Sequence, residues 1–195
     1  MNYLGHAFFS PEDADILLGN MISDFVKGNK KYTYPENVQF GMRAHRALDA
    51  FTDGHGAIKE MINIFRPSYR LYAAPVTDVI LDYFIANSTA NFPTLENLQA
   101  FSKRIYQKLE ENEQLFPEKF KRMFPYMKTQ DWLYNYHTHE GILQSLGGLH
   151  HRAKYMKPPA EAFEIFEEEK QLLEPLANIF ITDVKKFSEA FFSLY

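Results

Sequence analysis

The stretch PENVQFGMRAHRALDAFTDG, residues 35–54, decides the fold and the site that the sequence predicts. Its proline suits the first turn of a helix, and a glycine at position 54 or 56 suits the end of that helix. Within the stretch, His45, Asp49 and Asp53 are spaced by four residues. A helix therefore places them along one face, about 6 Å apart at each step. We predict one helix that carries an imidazole and two carboxylates on the same side.

Outward from this helix, apolar residues recur mostly every three or four positions, which is the helical period, and strand-like alternation is scarce. Further helices are predicted at 10–28, 58–65, 76–86, 94–109, 116–123, 129–148 and 160–195, with breaks between Pro67 and Pro75 and at Pro175. We therefore predict an all-α protein, a multi-helix bundle of roughly eight to ten helices that forms one domain over residues 1–195.

The composition narrows the chemistry that this bundle can carry. An apolar fraction of 46% over 195 residues is typical of a globular protein with a real core. The chain has no cysteine, which excludes disulfides, thiolate zinc sites and a cysteine nucleophile. The net charge of −4 gives no electrostatic case for nucleic acid. No leader sequence or apolar run of roughly 18–20 residues is evident, so we expect a cytoplasmic protein with no membrane partner.

Several familiar catalytic motifs are absent from the sequence. Neither GxGxxG, GxxxxGK[ST], HExxH nor GxSxG occurs in it. These absences weigh against the commonest dehydrogenase, NTPase, zincin and serine-hydrolase scaffolds.

The aspartates are concentrated in the first part of the chain, where seven of the nine lie at or before position 82. Asp78 and Asp82 repeat the four-residue spacing on a second predicted helix. Imidazole and carboxylate together are a usual ligand set for Mn, Mg, Fe or Zn when thiolates are absent. The candidate metal ligands are His6, Asp24, His45, Asp49, Asp53, Asp78 and Asp82.

Each of these residues also has a structural explanation when it is taken alone. Asp49 could pair with Arg43 or Arg46 on the helix surface, and an aspartate often caps a helix. The set as a whole fits that explanation less well. Asp78 and Asp82 lie in a strongly apolar stretch, where two carboxylates are costly to bury unless they are paired or bound to metal.

Basic residues supply a second set of candidates. Arginine binds phosphate through a planar fork of donors, and a phosphate ester beside a metal needs such neutralisation. For any single member the alternative is an ordinary solvated surface residue. The basic set comprises Lys27, Lys30, Lys31, Arg43, Arg46, Arg66, Arg70 and Arg152.

Short motifs spread along most of the chain resemble, in order, the signatures of the acyl carrier protein phosphodiesterase family. They are NYLGH at 2–6, GN at 19–20, SDFVKG at 23–28, HRALD at 45–49, FTD at 51–53, FR at 65–66, Arg70, DVILDYF at 78–84, WL at 132–133, Tyr136, GL at 148–149 and Arg152. Two positions depart from the family pattern: Gly5 stands where alanine is usual, and Tyr83 where histidine is usual. Tyr83 could still donate a hydrogen bond to a phosphate.

The resemblance implies an all-helical fold related to the HD-domain phosphohydrolases, with rearranged elements. It also implies hydrolysis that depends on a divalent metal, with Mn²⁺ expected and Mg²⁺ or Fe²⁺ as alternatives. The substrate would be holo-acyl carrier protein, a carrier of fatty acid biosynthesis. Cleavage of its phosphodiester would give apo-carrier and 4′-phosphopantetheine.

A site hypothesis follows from the resemblance together with the spacing. Asp24, His45 and Asp82, with His6 or Asp78, would hold the metal, and Asp49 and Asp53 would be ligands or would orient His45. His6 or His55 would protonate the serine leaving group. The catalytic candidates are Asp24, His45, Arg46, Asp49, Arg66 and Arg70. The acidic carrier would dock on a local basic patch, either Lys27, Lys30 and Lys31 or Arg152, Lys154 and Lys157.

Two alternatives stay open at this point. One is a phosphohydrolase of the same type that acts on a nucleotide or another small phosphoester. The other is a non-catalytic binding protein on the same fold, which the tyrosine at position 83 makes conceivable.

Overall fold

A computed structural model describes residues 1–153 and 155–193, which form an assembly of α-helices. No β-strand is found within these two ranges, and the all-α prediction is confirmed for them. Short 3₁₀ turns occur at Ser23–Phe25, Gly28–Thr33, Arg70–Tyr72 and Glu113–Leu115. The α-helices are α1 (Tyr3–Phe8), α2 (Ala14–Ile22), α3 (Glu36–Gly54), α4 (Gly56–Tyr69), α5 (Ala73–Asn87), α6 (Leu95–Glu110), α7 (Glu118–Thr129), α8 (Trp132–Asn135), α9 (His139–Arg152) and α10 (Pro159–Phe192).

The helix that decided the prediction, α3, forms with the predicted bounds. The short helix α1 was not predicted. The next helix begins later than expected, at Ala14, because the side chain of Asp13 accepts hydrogen bonds from the backbone N–H groups of Asp15 and Ile16 and so caps it.

The break expected between Pro67 and Pro75 is present at Arg70–Tyr72, although Pro67 itself lies in the last turn of α4. The break expected at Pro175 is absent, because this proline lies within the 34-residue helix α10. An interior proline costs about 3 kcal/mol in an exposed helix. Around Pro175, however, Leu173 and Ala177 are fully buried against the rest of the bundle. Tertiary burial of this face therefore keeps α10 continuous through the proline.

The predicted helix at 129–148 begins as expected, at Trp132, but it is interrupted after Asn135 and ends later than predicted. The chain makes a separate short helix, α8, and α9 then begins after Thr138, whose side-chain oxygen accepts a hydrogen bond from the N–H of Gly141 at 2.9 Å. Gly147 and Gly148 do not end α9, which continues to Arg152. The extra turn carries Leu149 and Arg152 onto one face, since they are three residues apart.

Helices α2 and α3 pack with their backbones in direct contact. A Cβ atom built on Gly19 would lie 2.0 Å from the carbonyl oxygen of Val38, and one built on Gly41 would lie 2.0 Å from that of Ile16. Only glycine permits this approach, because the two backbones touch directly. The contact brings Asn20 of α2 against His45 of α3.

Helix α1 is attached to α5 through Asp82, which is completely buried. Its Oδ2 accepts a hydrogen bond from the N–H of Leu4 at 2.7 Å, and its Oδ1 accepts from the N–H groups of Asn2 and Gly5 at 3.2 Å. Burial raises the pKa of this carboxyl to about 7, although the three N–H donors act in the opposite direction. This carboxyl–helix contact fixes the position of His6, one residue beyond Gly5.

The core is formed by buried apolar side chains from most helices, including Phe65 of α4, Phe120 of α7 and Phe166 of α10. None of the helices described is both long enough and apolar enough to cross a membrane.

Candidate metal centre

Two buried histidines from different helices meet one partly exposed carboxylate. The rings of His6 and His45 are stacked, with centroids 4.0 Å apart and planes 15° from parallel. The Nε2 atom of His6 lies 3.2 Å from Oδ1 of Asp49, and that of His45 lies 3.1 Å from Oδ2 of the same residue. Asp24 adds a further oxygen, 3.3 Å from Nε2 of His45. One ligand atom from each of His6, His45 and Asp49 can be chosen so that all three lie within 4.8 Å of one another.

Asn20 sets the protonation of both imidazoles. Its Nδ2 donates to the carbonyl oxygen of His6 at 3.1 Å and to Oγ of Ser10 at 2.7 Å. Its Oδ1 therefore faces both rings, 3.0 Å from Nδ1 of His6 and 3.2 Å from Nδ1 of His45. Because a carbonyl oxygen only accepts hydrogen bonds, both Nδ1 atoms must carry the proton. In the neutral rings the Nε2 lone pairs then point toward the carboxylates, as metal ligation requires.

The arrangement of these atoms fits a divalent cation. Nε2 of His45 is buried and has no hydrogen-bond partner among the described residues, although two carboxylate oxygens lie within 3.3 Å. Neither oxygen is aligned to accept a hydrogen bond from it. These nitrogen and oxygen atoms surround a common point without forming hydrogen bonds to one another. A metal ion at that point would give each of them a partner.

The electrostatics of these residues support the same interpretation. Burial acts to lower the pKa of His45, but the carboxylates of Asp24 and Asp49 outweigh it and raise this pKa to about 9. Burial lowers the pKa of His6. Burial acts to raise the pKa of Asp49, but the two imidazoles beside this carboxylate outweigh burial and lower its pKa. Without a cation, the carboxylates are therefore balanced by a proton on His45. A divalent ion would replace that proton with a larger positive charge.

The cluster lies in a cavity of about 340 Å³ at the junction of α1, α2, α3, α5 and the end of α9. Four carboxylates line it, those of Asp24, Asp49, Asp53 and Asp78. The amino group of Met1 pairs with Asp78 at 2.8 Å. The positive charges of Arg152 and of protonated His45 offset only part of the remaining three carboxylates, so the cavity keeps an excess of negative charge, which favours a cation. The apolar part of the wall comprises Met1, Met21, Pro75 and Leu149.

Not all the predicted site residues lie in this cluster. Asp53 is exposed and lines the cavity, but it is not part of the group formed by the two histidines and Asp49. Both oxygens of Asp82 are occupied by backbone N–H groups, and Asp78 pairs with the Met1 amine, so neither is in our proposed ligand set. The exposed arginines at 46, 66 and 70 do not line the cavity.

His55 and Tyr83 also lie away from the cavity. Nε2 of His55 lies 3.3 Å from Oδ2 of Asp183 on α10, so this histidine is not placed to protonate a leaving group in the cavity. The hydroxyl of Tyr83 accepts a hydrogen bond from Lys170 at 2.8 Å, and its ring packs on Phe166. The unusual residue at position 83 therefore faces α10, and the expected contact with a phosphate is not supported.

Asn20 and Tyr3 are site residues whose roles the spacing argument missed, and Arg152 was only one of many basic candidates. Asn20 stands four residues before Asp24, and Tyr3 stands three residues before His6, so helical spacing from a candidate ligand was the available signal.

Replacement of Asn20 by leucine is expected to weaken binding of a divalent cation by about 10- to 100-fold, because both imidazoles lose the acceptor that fixes their tautomer. The measurement is calorimetric titration of the metal-free protein with Mn²⁺. Asn63→Leu, at an exposed position on α4, is the control and should bind as the wild type does. Equal Mn²⁺ affinity in Asn20→Leu and the wild type would show that Asn20 does not orient the ligands.

Known proteins resemble this chain over most of its length. A protein of Photorhabdus laumondii named acyl carrier protein phosphodiesterase is 30% identical over 168 residues, covering 86% of this chain and 85% of the relative. The protein of that name from Yersinia pestis is 28% identical over 182 residues, 93% of each chain. No solved structure matches the chain, so the relation to HD-domain phosphohydrolases stays a prediction. Residues 1–184 match the family described as acyl carrier protein phosphodiesterase, and the chain belongs to that family.

Proposed function

We propose that residues 1–195 form one domain that hydrolyses holo-acyl carrier protein to apo-carrier and 4′-phosphopantetheine in a metal-dependent reaction. The observation that carries this proposal is the convergence of His6, His45 and Asp49 on one point inside a cavity, in a chain that belongs to the phosphodiesterase family. Such a nitrogen–oxygen site is typical of metal-assisted phosphoester hydrolysis.

His6, His45 and Asp49, joined by Asp24 at the mouth of the cavity, would hold the cation. We propose Mn²⁺ for this set, with Mg²⁺ or Fe²⁺ as alternatives, since mixed imidazole and carboxylate ligands suit these ions. A cation bound there supplies Lewis-acid polarisation of the phosphoryl oxygens and a water of lowered pKa.

The side chains around this point have separate tasks. Asn20 holds both imidazoles with their Nε2 lone pairs directed at the site. Asp24, whose side chain is 81% exposed, would complete the ligand set where the cavity opens to solvent. The side chains of Met21, Pro75 and Leu149 offer an apolar wall, which suits the hydrocarbon part of a pantetheine arm.

A docking surface for the carrier is proposed on the 3₁₀ turn Gly28–Thr33, which follows Asp24 closely. Lys27 and Lys30 are exposed there, and the ammonium of Lys31 lies 4.9 Å from the ring centroid of the exposed Tyr32. An acidic carrier would be attracted to this patch despite the negative net charge of the whole chain. Of the second predicted patch, Arg152 lies at the cavity and Lys157 pairs with Glu161, while Lys154 lies outside the described residues.

The direct test is incubation of the purified protein with holo-acyl carrier protein and Mn²⁺, followed by mass spectrometry of the carrier. We expect loss of the 4′-phosphopantetheine group, no loss after treatment with EDTA, and recovery when Mn²⁺ is added back. The rate should fall as ionic strength rises, because salt screens the attraction between the acidic carrier and the lysine patch.

Other outcomes of the same assay would identify the alternatives. Cleavage of nucleotides with an intact holo-carrier would indicate a phosphohydrolase of small phosphoesters. A protein that binds no metal and leaves every phosphoester intact would be a binding protein, and the proposal would be wrong.

A further inference from the structure

We propose that Arg152, held in place by Tyr3, binds the phosphoryl group of the substrate opposite the metal ligands. This inference rests on the proposed function for the identity of the substrate, but its chemistry concerns any phosphate group in the cavity. In this proposal the phosphate is recognised by Arg152 and not by Arg46, Arg66 or Arg70.

The position of Arg152 follows from the extra turn of α9. Because this helix continues past Gly148, Leu149 and Arg152 share the face that lines the cavity. Among the cavity-lining residues that the structure describes, Arg152 is the only lysine or arginine. The other arginines considered, at 46, 66 and 70, are exposed and lie outside this lining.

The charge distribution of the cavity gives Arg152 its role. A phosphodiester carries a negative charge and would be repelled by the carboxylates of Asp24, Asp49 and Asp53. Metal ligation would neutralise one side of the phosphoryl group, and a guanidinium on the other side would bind the remaining oxygens through its planar fork. Arg152 forms no ion pair with a carboxylate of the described residues, so its donors are available to a ligand.

Tyr3 is the positioning residue for this guanidinium. It lies three residues before His6 on α1, so both side chains reach the cavity. Its ring packs beside Trp132, with centroids 6.2 Å apart, and its hydroxyl donates to Sδ of Met123 at 3.5 Å. Arg152 lines the same cavity as Tyr3, and its positive charge acts to lower the pKa of the Tyr3 hydroxyl, whose oxygen can accept a hydrogen bond from a guanidinium. Burial raises the pKa of Tyr3 despite this positive charge, so the hydroxyl stays neutral.

The test is a calorimetric titration of the protein with inorganic phosphate, with and without Mn²⁺. We expect Arg152→Ala to weaken phosphate binding by about 10- to 100-fold, the loss expected for charge-assisted hydrogen bonds. Arg152→Lys should weaken it less, because it keeps the charge but loses the fork. Tyr3→Phe should also weaken phosphate binding, by a smaller factor than Arg152→Ala does. Affinity for Mn²⁺ should be unchanged in all three variants.

Arg122→Ala is the matched control, since Arg122 is an exposed arginine on α7 that does not line the cavity. It should bind phosphate as the wild type does. The inference is overturned if Arg152→Ala and Arg122→Ala bind phosphate equally, if the wild type binds none, or if Arg152→Ala loses Mn²⁺ as well. A wild type that binds phosphate through Arg152 and yet leaves holo-carrier intact would support the inference and contradict the proposed function.

Discussion

Replacement of His45 by alanine is expected to remove binding of the divalent cation and to lower hydrolysis of holo-carrier by at least about 1,000-fold. His45 contributes the buried Nε2 that lies 3.1 Å from Asp49 and 3.3 Å from Asp24. Without it, the two carboxylates face one another across an empty volume with only His6 to offset their charge. Cation affinity and turnover should therefore be lost together. The measurements are titration with Mn²⁺ and mass spectrometry of the carrier.

The matched control is His139→Ala, because His139 is an exposed histidine whose Nε2 lies 3.4 Å from Glu167 on the surface. It should keep both cation binding and activity. Thermal unfolding of both variants shows whether the bundle has survived the substitution. A folded His45→Ala protein that still binds Mn²⁺ and cleaves holo-carrier at the wild-type rate would exclude this histidine from the metal centre.

Local spacing was sufficient to predict α3 and the shared face of His45 and Asp49, because a four-residue spacing has one meaning on a helix. The structure brings these two side chains to 3.1 Å. Spacing could not predict that His6 would join them. That contact depends on Asp82, which binds the start of α1 from a position about eighty residues further along the chain. The apolar surroundings of Asp82 correctly indicated that it needed partners, but backbone N–H groups satisfy it as well as a metal would.

The ends of helices could not be predicted from glycine and proline alone. Glycine and proline were interpreted as breaks at Gly147, Gly148 and Pro175, and at each position the helix continues. Their intrinsic cost is about 1 kcal/mol for glycine and about 3 kcal/mol for proline, which the burial of one helix face can exceed. The error at Gly148 had a functional consequence, because it hid the turn that brings Arg152 to the cavity. Arginines at 46, 66 and 70 were favoured instead, because they lie in motifs that resemble the family signatures.

Replacement of Gly41 by alanine is expected to destabilise the protein by about 3 kcal/mol or more, the upper range for overpacking, because the added carbon meets backbone rather than a movable side chain. Its Cβ would lie 2.0 Å from the carbonyl oxygen of Ile16 and 2.9 Å from the backbone nitrogen of Asn20. Helix propensity alone would favour alanine by about 1 kcal/mol, so the clash must overcome that gain. The measurement is the free energy of unfolding in urea, with EDTA present.

Gly147→Ala is the control that separates these two effects. Gly147 lies inside α9, and a Cβ built on it has no atom within 4 Å. This variant should therefore show only the propensity gain, a stabilisation of up to about 1 kcal/mol. If α2 and α3 must move apart to admit the methyl group of Gly41→Ala, Asn20 and His45 separate as well, and Mn²⁺ affinity should fall in any protein that still folds. A Gly41→Ala protein as stable as Gly147→Ala, with wild-type Mn²⁺ affinity, would show that the two backbones do not touch and that the site does not depend on their contact.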